Sequence, residues 1–234
     1  MAIVINGSGT VTGISVGGLP DGIVDSGTLA TDSVIAAKVA DDAVVAASLA
    51  TDSVTADALE VSAIAVADLP AGSVLQIVST TKTDTYTFSA SSAGYTDVTG
   101  LTATITPTAS SSKILVQVNI NFSSSMRYAA ANCIRTISGT NAQVGGGTAS
   151  GGRPSVSVSS EANQDETNDE FLMRNSSFSF LDSPSTTAAT TYKIQVGNSH
   201  ESSSVNYVNR SENDVDGAYS HRGQSTITLT EVAG

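Results

Sequence analysis

The sequence predicts a mostly β protein in two parts: a homotrimeric fibrous shaft at the amino-terminal end, followed by an antiparallel β-sandwich. Three observations carry that prediction. An apolar ten-residue period runs through the first third of the chain, and all 6 Tyr and 5 Phe lie beyond it. The remainder consists of short runs that alternate apolar and polar residues, divided by Ser, Thr, Gly and Pro.

Residues 1–18 read as an attachment segment. They hold neither a positive n-region nor an apolar run of signal-peptide length, so the expectation is a soluble protein made in a cytosol. Gly13-Ile14-Ser15-Val16-Gly17 matches the G-x-S-x-G pattern of a nucleophile elbow. That elbow needs a buried strand before it and a helix after it. Here "GGLPDG" follows, so Ser15 reads as part of Gly-rich turns beside a short hairpin at Asn6-Gly7.

Residues 19–74 are the predicted shaft. Leu19, Leu29, Val39, Leu49, Leu59 and Leu69 occupy one phase of the period, and Val24, Val34, Val44, Val54, Ile64 and Val74 the other. On an α-helix, steps of five rotate about 140° and spread these residues round the cylinder. On a flat strand they alternate faces, which a single chain cannot bury together. One repeat buries a Leu and a Val, worth about 1.5–3 kcal/mol each. Fixing ten residues costs on the order of 10–20 kcal/mol, so a lone copy stays disordered. Several copies wound about one axis resolve the deficit, with Leu29, Val34, Val39, Val44, Leu49, Val54, Leu59, Ile64 and Leu69 as the shaft core. A bend or short helical turn in each repeat, N-capped by Asp or Ser of "TDSV", would bring both phases inward. A flexible Ala/Asp-rich linker and a continuous Ala-rich helix are the alternatives, and the strict period argues against the first. "LPDG" at Leu19 and "LPAG" at Leu69 mark the two ends as turns.

Residues 75–234 carry the predicted strands. "KILVQVNINF" is the clearest, with Ile114, Val116, Val118, Ile120 and Phe122 on one face and Gln117, Asn119 and Asn121 on the other. "VLQIVST", "DTYTFS", "GLTATIT", "NCIRTIS", "SFSFL", "TYKIQV", "VNYVN" and "STITLTEV" bring the expectation to nine strands. "SASSAGYTD", "TPTASSS" and "LDSPSTTAATT" are turn chemistry. An antiparallel sandwich, most simply a jelly roll, accommodates such a set.

Charge and chemistry narrow the function. A formal net charge of −12 disfavours nucleic acid and anionic membranes as partners, since no basic stripe is present to displace counterions. No stretch approaches the roughly 18 apolar residues that membrane insertion needs. The single Cys133 excludes an intrachain disulfide and reads as a small buried hydrophobe. Asp214 and Asp216 before Gly217 form a fragment of a Ca²⁺ loop without its distal Glu, and His200 and His221 are the only histidines. No metal, cofactor or catalytic residue is expected. The acidic run Glu161 to Glu170 offers the paired carboxylates a glycosidase would use, but its composition is that of a solvated loop.

The opening "GTVTGISVGGLPDGIVDSGTLATDSV" and the decapeptide array lead into "SVLQIVSTTKTDTYTFS", "DVTGLTATITP" and "SSKILVQV". With "SFLDSPSTTAATTYKIQV" and "RGQSTITLTEVAG", these stretches resemble a tail fibre or receptor-binding protein of a tailed bacteriophage of the marine or cyanobacterial type. The resemblance covers nearly the whole chain and contains no catalytic motif. It implies a trimeric shaft carrying a β-sandwich knob similar to the tumour-necrosis-factor or C1q type, which meets the host surface. The implied location is the virion tail, after assembly in the host cytoplasm. The implied partners are a tail or baseplate protein at the amino-terminal end and a host-surface polysaccharide at the other. A polysaccharide-degrading tail enzyme, and a minor fibre or adaptor of a tail or contractile particle, are the alternatives.

Two knob segments suit recognition, Asn141 to Pro154 and Gly197 to Gly223. Sugars are bound by aromatic faces and by planar polar groups that bond hydroxyls. The second segment holds both kinds, and His200, Tyr207, Arg210, Tyr219, His221 and Arg222 are the candidate receptor-binding residues.

Overall fold

In the computed structural model, residues 35, 39, 43–45, 49, 65–90, 94–125, 129–160, 169–198 and 204–234 are described. The chain divides into two units, Met1–Ala63 and Ile64–Gly234. In the first unit the described repeat positions Val39, Val44 and Leu49 are all exposed in the single chain, Val44 at 60%. The segment 1–18 and the repeat positions Leu29, Val34, Val54, Leu59 and Ile64 lie outside the described residues.

The second unit is a β-sandwich of two antiparallel sheets, the fold class expected. Its strands are β1 (Val74–Lys82), β2 (Tyr86–Ala90), β3 (Gly94–Ile105), β4 (Lys113–Ser124), β5 (Ala129–Ile137) and β6 (Thr140–Val144). They continue with β7 (Val158–Ser160), β8 (Arg174–Asp182), β9 (Thr190–Asn198), β10 (Ser204–Val208) and β11 (Ser225–Val232). One sheet runs β1-β11-β4-β10-β2 with β8 also on β4, and the other runs β3-β9-β5-β6 with β7 also on β5.

The pairings are nested. β1 pairs β11, β2 pairs β10, β3 pairs β9, β4 pairs β8 and β5 pairs β6, all antiparallel, as if one long hairpin had been rolled up. Without β2, β7 and β10, the two sheets are β1-β11-β4-β8 and β3-β9-β5-β6. That order is the jelly roll, which rolls a hairpin so that its two ends lie side by side.

The core lies between the sheets, and alternation decides which residues enter it. Ile114, Val116, Val118, Ile120 and Phe122 of β4 face Cys133, Tyr192, Ile194 and Val196 of the opposite sheet within one buried cluster, with Ile227 and Leu229 beside them. Each large side chain sealed there is worth about 1.5–3 kcal/mol. β3 breaks step: its register shifts between Asp97 and Thr102, and Gly100 takes φ 84°. The bulge turns both Val98 and Leu101 inward, although they stand three apart.

Where nine strands are expected, eleven are present among the described residues. The additions are β6 and β7, which share one side of β5. β3 also begins at Gly94, inside a stretch read as turn chemistry. "LPAG" is a turn one residue out of the expected register: Ser73 N donates to Pro70 O, and Gly72 at the third position has φ 92°. This is the type II geometry, where glycine is required third. Leu69 just before it is half-buried within the sandwich unit, beside Leu75 and Ala109.

Buried polar groups fix the register of the ends. Lys82 points inward from edge strand β1 and pairs with Asp84 at 2.7 Å, an arrangement that discourages a second sheet from adding there. Glu231 is sealed, and accepts hydrogen bonds from Gln76 Nε2 and from Thr108 N and Oγ1. Burial pushes its carboxyl up, but these donors outweigh that and hold it below the usual carboxylate range. A depressed folded value means that the stabilisation is complete above the ordinary glutamate pKa and is lost as pH falls through the folded one. Titrating urea midpoints from pH 7 to 3 should show stability falling below about pH 4.5. Glu231→Gln should flatten that slope while costing about 1–3 kcal/mol at pH 7, because its amide would face the Gln76 donor.

Candidate receptor-facing loops

The loop after β10 is built on Asn209, which sits at φ 62° and is fully buried. Its backbone N donates to Asn121 O at 2.9 Å, and its side-chain amide donates to Lys82 O and Asp84 O, each at 2.9 Å. Its Oδ1 accepts the Ser225 hydroxyl at 2.6 Å, and its carbonyl accepts Gly223 N at 3.1 Å. One asparagine thus ties both stems of the loop to β4 and to the β1–β2 turn. Asn is suited to that place because it tolerates the left-handed region while offering donor and acceptor together.

Beyond this anchor the chain is pinned by charge. Arg210 and Arg222 face each other across an antiparallel bridge. Asp214 lies between them, accepting from Arg222 Nη2 at 2.8 Å and standing 3.5 Å from Arg210 Nη1. The Arg222 guanidinium in particular holds the Asp214 carboxyl below its usual range. Arg210 also donates to Ser211 O and Glu212 O, and its guanidinium lies 4.8 Å from the centre of the Tyr207 ring. That cation–π contact covers one face of the ring. Burial, then the nearby Glu212, push the Tyr207 hydroxyl up. Burial followed by Glu170 pushes the Glu212 carboxyl up as well. Asn213 binds the short 3-10 turn Asp169–Phe171 through Glu170 O at 2.8 Å, and Phe171 meets Tyr219 edge to face at 4.9 Å.

The six candidates therefore separate. Tyr207 and Arg210 are half-buried parts of the scaffold. Tyr219, His221 and Arg222 are exposed, Tyr219 at 58% and the Arg222 side chain at 56%. His200 lies outside the described residues. Asp214, whose neighbourhood suggested a cation loop, is engaged by the two arginines. Among the described residues no group of three or more His, Cys, Asp or Glu is placed to hold a metal. Sequence reasoning misses Asn209 and Phe171, and only the Asn-Arg step at the end of an alternating run hints at the first.

In the other segment, Asn141 to Val144 belong to β6. Ser138 and Gly139 at φ 49° and 82° form the two-residue hairpin turn before it, a signal present in the sequence as Ser-Gly between two strands. Gly145, at φ 64°, lies against Phe180, and a Cβ there would fall 2.2 Å from the ring. Residues 145–154 are exposed, and Ser150 and Arg153 exchange backbone hydrogen bonds at 3.1 Å to close their tip. Cys133, on β5, is buried, and burial pushes its thiol up to about 12. A thiol so placed is inert.

The fold and its loops define a jelly-roll β-sandwich with charged and aromatic loop surfaces. No protein family and no curated protein matches the chain. Among solved structures it is distantly similar to viral β-sandwich proteins. One is the infectious bursal disease virus Gt strain, at 11% identity and TM-score 0.35 over 67% of this chain and 39% of that one. The Gx strain of that virus gives 13% and 0.34 over 68% and 37%, and its VP2 subviral particle 13% and 0.34 over 68% and 41%. The chain thus spans about two fifths of the length of each.

Proposed function

We propose that this protein is a homotrimeric structural and adhesive component of a virion, a tail fibre that joins a tail or baseplate protein at its amino-terminal end to a host-surface polysaccharide through its knob. The observation that carries this reading is the ten-residue apolar array placed directly before a jelly-roll sandwich. Its described positions Val39, Val44 and Leu49 stand in water in the single chain, and winding copies together would remove them from it. The role is adhesive and not enzymatic. The exposed Tyr219 ring with His221 and Arg222 offers a stacking surface beside planar donors, the combination that sugar hydroxyls and C–H faces call for.

A single such loop holds a glycan weakly, at a Kd of about 0.1–1 mM, and three on one trimer raise the effective affinity by about 10²–10⁴. Solution mass should correspond to three chains. Tyr219→Ala with His221→Ala should leave folding and mass unchanged while reducing adhesion to immobilised host envelope at least tenfold. Tyr207 and Arg210 are unsuitable for this test because they hold the loop together. Unchanged adhesion would remove this loop as the contact, and new reducing ends released from host polysaccharide would make the protein an enzyme.

A further inference from the structure

The outer face of the sheet containing β4 is unlike the rest of the knob. Register places Thr81, Thr226, Asn119 and Ser177 in one row across β1, β11, β4 and β8. Ser79, Thr228, Gln117 and Ser179 form the next, and Ile77, Thr230, Leu115 and Leu181 the third. No charged side chain stands in these three rows, in a chain whose formal net charge is −12. The outer face of the other sheet carries the Lys193–Asp97 pair at 2.7 Å. Ile77 and Leu181 are 63% and 53% exposed, and the row beyond them, Val74, Val232 and Lys113, carries the first charged side chain. Ser79 and Thr228 hydroxyls bond at 2.9 Å, and Asn119 and Asn175 amides bond reciprocally, so the polar rows are already ordered.

We propose that this neutral face is the contact between copies of the chain in the knob, which rests on the trimeric reading above. Identical chains carrying a large negative charge repel one another wherever charged surfaces meet, and a neutral face avoids that cost. Hydroxyl and amide side chains offer both donors and acceptors, so they can pair with a second copy as well as with water. The exposed Ile77 and Leu181 at the two ends of the third row supply a driving force. Four strands at about 4.8 Å and three rows about 7 Å apart make a footprint of roughly 400 Å². That is about half of what one partner contributes to a standard interface, enough for its centre.

The buried Cys133 leaves the protein silent to thiol reagents, which makes introduced cysteines readable. Ser177→Cys and, separately, Ser79→Cys report this face, and Thr104→Cys on β3 reports the opposite one. In a full-length protein of three-chain mass, both face cysteines should label at least tenfold more slowly than Thr104→Cys. Adding Ile77→Glu should restore the fast rate. Equal rates in a three-chain particle, or protection that Ile77→Glu does not relieve, overturn the neutral face and leave the trimer standing. A single-chain mass overturns both.

Discussion

Asp182→Ala is expected to cost the sandwich about 3 kcal/mol, a large share of the roughly 5–15 kcal/mol that a domain possesses. Asp182 ends β8 and reaches across to the opposite sheet. Arg135 Nη1 donates to both of its carboxylate oxygens at 2.8 Å, and Tyr192 Oη donates to Oδ2 at 2.7 Å. Tyr192 is fully buried, and burial together with Asp182 pushes its hydroxyl far above the usual value, so it remains a donor at every working pH. Removing the carboxylate strands that hydroxyl in the core and leaves Arg135 without its partner. Tyr192→Phe removes donor and demand together and should cost only about 1 kcal/mol. Urea midpoints of the two variants decide the matter: equal losses would mean that the carboxylate adds nothing beyond the Tyr192 bond.

Asn209→Ala is expected to destabilise by about 3–5 kcal/mol and to abolish the ordered geometry of the 209–224 loop. The buried Lys82 O and the partly buried Asp84 O lose their donor, and the Ser225 hydroxyl loses its acceptor. Each orphaned group costs about 1 kcal/mol or more, and alanine at positive φ adds about 1–2. Asn209→Gly keeps the backbone conformation at no steric cost, so it should lose about 1 kcal/mol less than the alanine variant. Hydrogen exchange at Gly223 N, which donates to the Asn209 carbonyl, reads the loop directly. A loop that stays protected in Asn209→Ala would show that the arginine clamp at Asp214 suffices without the anchor.

The alternating faces were legible residue by residue. Ile114 to Phe122 could be assigned to the core because a strand's period of two is a local property, indifferent to what the strand pairs with. The short additions were not. β6 buries little of its own, and β7 has three residues, so neither contains enough alternation to distinguish it from loop; both exist because β5 has a free side for them. The bulge at Gly100 hid for the same reason, since Val98 and Leu101 fit no single period.

The candidate loop was legible as a composition and not as a site. The sequence placed Tyr207, Arg210, Tyr219, His221 and Arg222 together and named them equivalently. Only the packing separated Tyr207 and Arg210, half-buried supports of the loop, from Tyr219 and His221, which face solvent, and showed Arg222 to be both exposed and bonded to Asp214.

By itself, then, the sequence determined the ten-residue array, the β-rich class and the inward faces of the long strands. All of these follow from periodicities that a chain expresses over ten residues or fewer. The tertiary structure alone decided the nesting of the pairs, the neutral outer face and the anchoring of Asn209 on Lys82, 127 residues away. Those depend on which distant segments meet. A polar side chain's role is set by whatever donor or acceptor arrives beside it, and that neighbour is chosen by the fold as a whole.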